Sequence, residues 1–398
     1  MRIVWIIKKY LDTAVDRAAR TEMIRSLEAR GDRVTLATTY KSVKPDVDGL
    51  DVVFLPSIKV KGLNHITFVL SAFVYLCYAM IVERPDAVIT DPNTAFVAFP
   101  FNLLARLRPL RTRFVLDVRT VPVELSGLAG RVSQSLFDLA LVYARYFFDG
   151  ITVITPFMMK VLADRFGLDE KRVGIWTSGC STEQFDPQAV EAQEAESLRK
   201  SLGLDERQVV IAYHGALSFN RGLREAIQAL DMVKEACDNA ALFIIGRGPA
   251  QEALRQMAGT TELGARVVVA DAVDHGEMPK YVAISDVGIL PFPSLMWWRV
   301  SSPIKLMEYL AMSKPVIVTD IEAHRDVLDG TGCGFFAGSA DPADIASQIR
   351  HVCALGRARL KELGGSGRRL VEEEYSWDKQ AEKLDAFLHG LGMARDER

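Results

Sequence analysis

The feature that most constrains this chain is a rhythm. Short β-branched apolar runs alternate with helical stretches, first from the N-terminus to about residue 175 and again from about residue 209. Arg2–Ile7 (RIVWII) is such a run, and residues 14–30 come next with helical spacing and stop at Gly31. RVTLATTY, DVVFLPSI, DAVIT, RFVLDV and GITVIT read as further strands. Repeated strand–helix–strand units imply a parallel sheet covered on both faces. A polar, turn-rich break, SGCSTEQFDP at 178–187, precedes a second series: VVIAYHG, ALFIIG, ARVVVADA, DVGILPF and PVIVTD, with helices between. The expected fold class is α/β, with two Rossmann-like domains facing across a cleft. The expected boundaries are 1–180 and 181–375, with a tail, 376–398, whose amphipathic helix packs back on the first domain. No short-period repeat points to a solenoid.

Bulk properties exclude more than they choose. The 398 residues exceed one ordinary core and suffice for two domains. A net charge of -3 gives no sign of nucleic-acid binding. Five scattered cysteines have no metal-ligand spacing and read as reduced thiols, so the expected location is the cytoplasm. The first residues lack the apolar core and cleavage site of a secretory signal. Ile66–Val82 is apolar but just short of a bilayer span. It reads either as a buried or surface-docked helix of the first domain or as a helix lying in the membrane interface.

In open parallel sheets, ligands gather at the C-terminal strand ends, where helix N-termini offer N–H groups to phosphate. Three turns of the second half qualify. The first holds Gly215, where backbone can come close to a ligand, and Arg221, which can fork onto phosphate oxygens or simply be a surface arginine. The second is Gly246-Arg247-Gly248-Pro249, a partial GxG without the third glycine of a dinucleotide fingerprint; a tight turn explains it as well as a phosphate role does. The third is Ser301-Ser302-Pro303-Ile304-Lys305, then Glu308. Ser301 or Ser302 is a good N-cap, and Pro303 suits the first helical turn. Amides near Ile304 and Lys305 can then face an anion. Glu308, one turn on, places a carboxylate suited to ribose hydroxyls behind it.

This stretch resembles family four of the retaining GT-B glycosyltransferases. Glu308 matches the second glutamate of that family's pair, and Ala311-Met312-Ser313-Lys314-Pro315-Val316 matches the family's Ala-x-Gly-x-Pro-Val after it. Ser302–Tyr309 spells the Ser-Pro-x-Lys…Glu-Tyr of a subset. The turns at Gly215–Leu223 and Gly246–Pro249, the segments Asp271–Tyr281 and Asp286–Pro291, the stretch Ser178–Phe185 and Tyr375-Ser376-Trp377 keep the family's order over nearly the whole chain. The resemblance implies transfer from a nucleotide sugar, UDP-linked by family frequency, with retention. It implies that Arg221 and Lys305 stabilise the leaving diphosphate, helped by Ser302 and backbone amides, while Glu308 holds the ribose. The base would be read near Ala272 and Val273. No metal or other cofactor is expected; the single DxD, Asp46-Val47-Asp48, reads as a solvated turn. Three departures stand out. Val300 replaces the first glutamate of the pair, Ala216 an arginine, and the first-domain histidine is missing. In its region lie Asp117, Arg119 and Glu124, where Asp117 either contacts sugar or acceptor or caps a strand end. The acceptor would be a saccharide or a polyprenyl-linked sugar, with the apolar helix and Arg106, Arg108, Arg111 and Arg113 at an anionic membrane face. A catalytically silent binding subunit and a GT-B nucleotide-sugar epimerase are the alternatives.

Overall fold

In the computed structural model, the described residues are 1–12, 17–45, 47, 49–60, 63–107, 112–122 and 127–396. They form two compact units, residues 1–178 with 377–398 and residues 179–376. Each is an all-parallel twisted sheet.

The first unit runs β1 Arg2–Tyr10, α1 Arg17–Ala29, β2 Arg33–Thr39, β3 Asp51–Phe54, α2 Leu63–Tyr78, β4 Ala87–Thr90, α3 Phe99–Leu107, β5 Arg113–Val118, α4 Gly127–Phe147, β6 Gly150–Val153, α5 Pro156–Phe166 and β7 Val173–Ile175. Its seven strands lie in the order β3-β2-β1-β4-β5-β6-β7. The central strands are apolar on both faces, as a sheet covered on both sides requires: Ala87–Thr90 and Phe114–Val118 are buried throughout. Thr155 caps α5 by accepting from the Met158 amide, Pro156 opens the helix, and Gly167 closes it at φ 61°.

The second unit runs α6 Ala192–Ser201, β8 Val209–Ala216, α7 Leu223–Met232, β9 Ala240–Arg247, α8 Gln251–Thr260, β10 Val267–Asp271, α9 Met278–Ala283, β11 Val287–Leu290, α10 Met296–Arg299, α11 Ile304–Ala311, β12 Val316–Thr319, α12 Glu322–Leu328, β13 Gly334–Ala337 and α13 Pro342–Leu370. Its six strands lie in the order β10-β9-β8-β11-β12-β13. The last helix, α14 Trp377–Asp396, belongs to the first unit, where it packs on α1 and β7. Gln380 in that helix accepts from the Thr177 amide at 2.9 Å.

Two strands, β7 and β13, have no clear sign in the sequence. Val173-Gly174-Ile175 is three residues long, and Gly334–Ala337 is bounded by glycine, so neither shows a measurable period. The helix carrying Lys305 also starts later than its Ser-Ser-Pro approach suggests. Pro303 (φ -73°, ψ 116°) is the N-cap, and no side chain caps the turn. Ser301 instead donates to the Trp298 carbonyl at 2.8 Å. The N–H groups of that first turn are thereby left to other partners.

Candidate functional site

The C-terminal ends of β8, β9, β10 and β11 surround the start of α11. Tyr309 holds that helix down: its ring lies over Gly288, where a Cβ would come within 2.5 Å of it, and its hydroxyl donates to the Ala212 carbonyl at 2.7 Å. Leu306, Met307, Leu310 and Ala311 are buried beside it. Burying a Leu or Met side chain stabilises by roughly 1.5–3 kcal/mol each, so the position of Lys305 and Glu308 is fixed by the core.

Gly215 (φ 113°) leaves the space Lys305 uses; a Cβ there would stand 3.1 Å from the lysine Cε and 3.2 Å from Nζ. Gly246 pairs with Gly215 in the β8–β9 ladder, and a Cβ on it would fall 1.8 Å from the Gly215 carbonyl oxygen. Gly248 faces Leu217 just as closely, at 2.1 Å. These glycines let the ends of two strands and their loops nest together, which is more than a tight turn alone would need.

Arg221 and Lys305, 84 positions apart in sequence, flank the same two rings. The Lys305 ammonium is 5.5 Å from the Tyr213 ring centre and 6.0 Å from that of Phe292. The Arg221 guanidinium is 5.7 Å from the Phe292 centre and 4.8 Å from that of Trp298, and it donates to the Tyr213 hydroxyl (3.2 Å) and Ser218 Oγ (3.0 Å). Trp298 stacks on Phe292 at 4.3 Å and donates to the Asn220 carbonyl, so it packs the loop that aims Arg221. Desolvation first, and the neighbouring Arg221 charge second, push the Lys305 pKa down to about 7; Glu308 opposes them. Neither cation has a carboxylate within ion-pair distance among the described residues.

Glu308 is 3% exposed. Its Oε1 lies 2.6 Å from His275 Nε2, and its Oε2 lies 3.3 Å from His214 Nε2, an angle too poor for a hydrogen bond. The His275 contact and the nearby charges of His275 and Lys305 outweigh burial and hold the carboxyl below its ordinary range. Desolvation pushes His214 down to about 4, so it is neutral at pH 7. Sequence reasoning does not bring these two histidines to Glu308. They stand 33 and 94 residues from it and no local spacing announces them. Ala272 and Val273 lie just past β10, three and two residues before His275, the first exposed and the second half-buried. Ser302 and Val300 are buried, while Pro303 and Ile304 are partly exposed.

Asp117 and Arg119 belong to the first unit. Asp117, at the end of β5, is 1% exposed; its Oδ1 accepts from the Thr152 hydroxyl at 2.9 Å and its Oδ2 lies 3.6 Å from Arg20 Nη1. Burial raises its pKa against the pull of Arg119 and Arg20. Arg119 lies 3.3 Å from the Trp176 ring centre and donates to the Trp176 carbonyl at 2.6 Å. A cavity of about 120 Å³ opens onto these groups, with Lys9, Asp91 and Ser133. Glu124, Asp46, Asp48, Arg108 and Arg111 lie outside the described residues.

Two parallel sheets of Rossmann type, one in each unit, are the fold of the GT-B glycosyltransferases. Residues 194–369, which lie within the second unit, match the model of the family described as Glycosyl transferases group 1. The chain is similar, at 26% identity over 269 residues (66% of this chain, 68% of the other), to a GDP-mannose-dependent alpha-(1-6)-phosphatidylinositol monomannoside mannosyltransferase of Mycobacterium tuberculosis. Its fold is like that of a glycosyltransferase from Rickettsia africae (TM-score 0.76, 14% identity, 98% of each chain). It is also like that of Anabaena Alr3699/HepE, solved in complex with UDP (TM-score 0.74, 12% identity, 98% and 100% covered).

Proposed function

We propose that this enzyme transfers a hexose, with retention, from a nucleoside diphosphate sugar bound by its second unit to a saccharide or polyprenyl-linked acceptor bound by its first. The observation that carries the reading is the convergence of Arg221 and Lys305 on Tyr213 and Phe292 at the C-terminal strand ends. Two cations without a carboxylate partner suit a diphosphate, whose charge grows as the sugar departs. They supply the neutralisation without a metal. Gly215, Gly246 and Gly248 admit the phosphates, and Ser302 and the first turn of α11 offer donors, while Ser301 is taken up by the Trp298 carbonyl. Glu308 accepts from the ribose, and His275 keeps it ionised. Backbone at Ala272 and Val273 reads the base. In the first unit, the buried Asp117 with Arg119 holds the acceptor hydroxyls. Glycolipid or cell-surface polysaccharide synthesis at the cytoplasmic side of a membrane is the expected setting.

UDP is our expected base, and the GDP-mannose dependence of the mycobacterial relative makes GDP the competing outcome. A thermal-shift screen with UDP, GDP and ADP decides among them, since a ligand that binds only the folded state raises its melting point. Lys305→Ala and Arg221→Ala should abolish both the shift and transfer. Variants that bind the diphosphate as tightly as the wild type would overturn the site.

A further inference from the structure

The second unit has a cavity of about 680 Å³ at the edge of its sheet opposite the proposed donor site. Among the residues that line it, Asp286 stands just before β11, Lys314 shortly before β12 and Glu206 shortly before β8, so the cavity lies at the N-terminal strand ends. Helix α11 joins the two edges. Lys305 and Glu308 sit near its start, while Met312, Ser313 and Lys314, which follow its last turn, line the cavity. The proposed transfer uses none of these last three.

The charges at the cavity do not balance. Arg199, Lys314, Arg357 and Lys361 line it. Of its carboxylates, Glu196 and Glu206 are paired with Lys200 at 2.6 and 3.0 Å. Asp286 remains, and it already serves three donors: the Val210 amide at 2.8 Å, Arg357 Nε at 2.7 Å and Arg199 Nη2 at 3.3 Å. Arg199 is 6% exposed, and its buried Nε has no hydrogen-bond partner among the described residues. The Lys314 ammonium donates to the Ala283 and Ser285 carbonyls at 2.9 and 2.6 Å. Desolvation pushes its pKa down to about 8; Asp286 opposes this, and the charges of Arg357, Arg199 and Lys361 add to it. Lys361 is exposed and pairs with no carboxylate among the described residues. A network that only tied elements together would match its charges, because burying an uncompensated cation is costly.

Two backbone features at the same place favour an anion. Helix α13 leaves the helical path at Gly356 (φ 74°, ψ 162°) and resumes it with Arg357 and Ala358, both of which line the cavity. The positive end of the resumed segment's dipole therefore lies there, and Lys361 follows Arg357 by one turn on the same face. Ser313 holds φ 55°, a conformation that favours glycine, and its hydroxyl makes no hydrogen bond among the described residues. The rest of the wall includes the aliphatic Val190, Ala195, Ile284 and Met312.

We infer that this cavity binds a phosphate monoester with an organic body, as a ligand separate from the sugar donor. Four cations against the single free carboxylate favour a dianion over a carboxylate ligand, and guanidinium groups match phosphate oxygens. The volume is that of a small-molecule site, so the body has room against the aliphatic wall beyond the phosphate. The inference does not depend on the donor-site reading.

The probe is phenyl phosphate, titrated calorimetrically into the full chain carrying Lys305→Met, which removes a phosphate contact from the proposed donor site. Binding should saturate at one site per chain, be tighter than that of inorganic phosphate, and be absent with phenol. Lys361→Glu, at an exposed position, should weaken it about tenfold. Ala358→Phe, also exposed, should block it by filling the space without changing charge. With Lys305 intact, both variants should keep the wild-type melting temperature and nucleotide-induced shift, which separates failure here from failure of the donor site. No heat from phenyl phosphate, an affinity equal to that of inorganic phosphate, or binding untouched by either variant would overturn the site.

Discussion

Nucleotide binding by this enzyme should weaken steeply as pH rises through the neutral range, because of one residue. Lys305 reaches a pKa of about 7 in the ligand-free protein through desolvation and the charge of Arg221. A diphosphate placed between the two cations favours the charged lysine, so its pKa rises in the complex. Binding then requires proton uptake, and the apparent dissociation constant grows in proportion to 1 plus 10 raised to the pH minus the free pKa. Between pH 7 and pH 9 that is roughly fifty-fold, or about 2.3 kcal/mol. The interfering groups change little there: the second diphosphate ionisation is largely over by pH 7, and His214, at about 4, is already neutral. The sign reverses for the empty protein. Its folded pKa lies below the unfolded one, so protonating Lys305 weighs on the fold at and below neutral pH, and stability rises as the lysine is neutralised between pH 7 and 10. Calorimetric titration with UDP or GDP in buffers of different ionisation enthalpy reads both the affinity and the protons taken up. Lys305→Met should bind weakly at every pH with no uptake. An affinity flat from pH 7 to 9, or uptake that persists in Lys305→Met, would refute the assignment.

Three further variants probe the surroundings of that lysine and the buried histidines. Arg221→Lys keeps the charge but loses the fork onto Tyr213 and Ser218, and kcat should fall about 100-fold; steady-state kinetics reads it. Gly246→Ala drives a methyl to within 1.8 Å of the Gly215 oxygen and should cost about 3 kcal/mol or more in urea unfolding, with loss of nucleotide binding. His214 and His324 are buried with pKa values lowered to about 4, so the stability they confer is full above the unfolded value near 6.5 and is lost as pH falls from there toward 4. The urea midpoint should drop over that window, and His324→Asn should flatten the slope.

Much of the candidate site was legible because the groups proposed to meet phosphate carry local signs. A glycine at a strand end, an arginine before a helix and a Ser-Pro-x-Lys helix start are each visible within a dozen residues, and the fold had only to bring them to one edge. What stayed hidden depends on long-range packing. His275 and His214 look like any loop or strand histidine until β8 and β10 are set beside α11, and only then does Glu308 gain its partners. The start of α11 misleads for a different reason: Ser301 finds the Trp298 carbonyl of a four-residue helix that no pattern foretells, so the serine is unavailable as a cap. The apolar helix at 63–78 leaves two readings open because periodicity cannot separate a helix buried on two sides from one buried on one side. The exposure of its outer stripe is a property of the sheet face it shares with α3 and α4.

The placement of Glu308 gives the proposed donor site its logic. Were that carboxylate turned toward Lys305, the pair would neutralise each other, and an arriving diphosphate would have to break an ion pair before making one. Instead Glu308 is held by His275 and faces His214, one turn from the lysine, and it moderates the ammonium without closing on it. Arg221 is likewise held by neutral partners, a tyrosine and a serine hydroxyl with two aromatic faces, so its charge is oriented but not cancelled. Burial first, and the Arg221 charge second, therefore weigh on the protonated lysine, and that cost appears as its lowered pKa. That cost is returned when the phosphates enter and is most useful when the sugar leaves, because the second negative charge develops against donors already in position. A site built this way should favour the leaving diphosphate over the intact donor. The ratio of nucleotide-sugar to nucleoside-diphosphate dissociation constants should accordingly shrink in Lys305→Met.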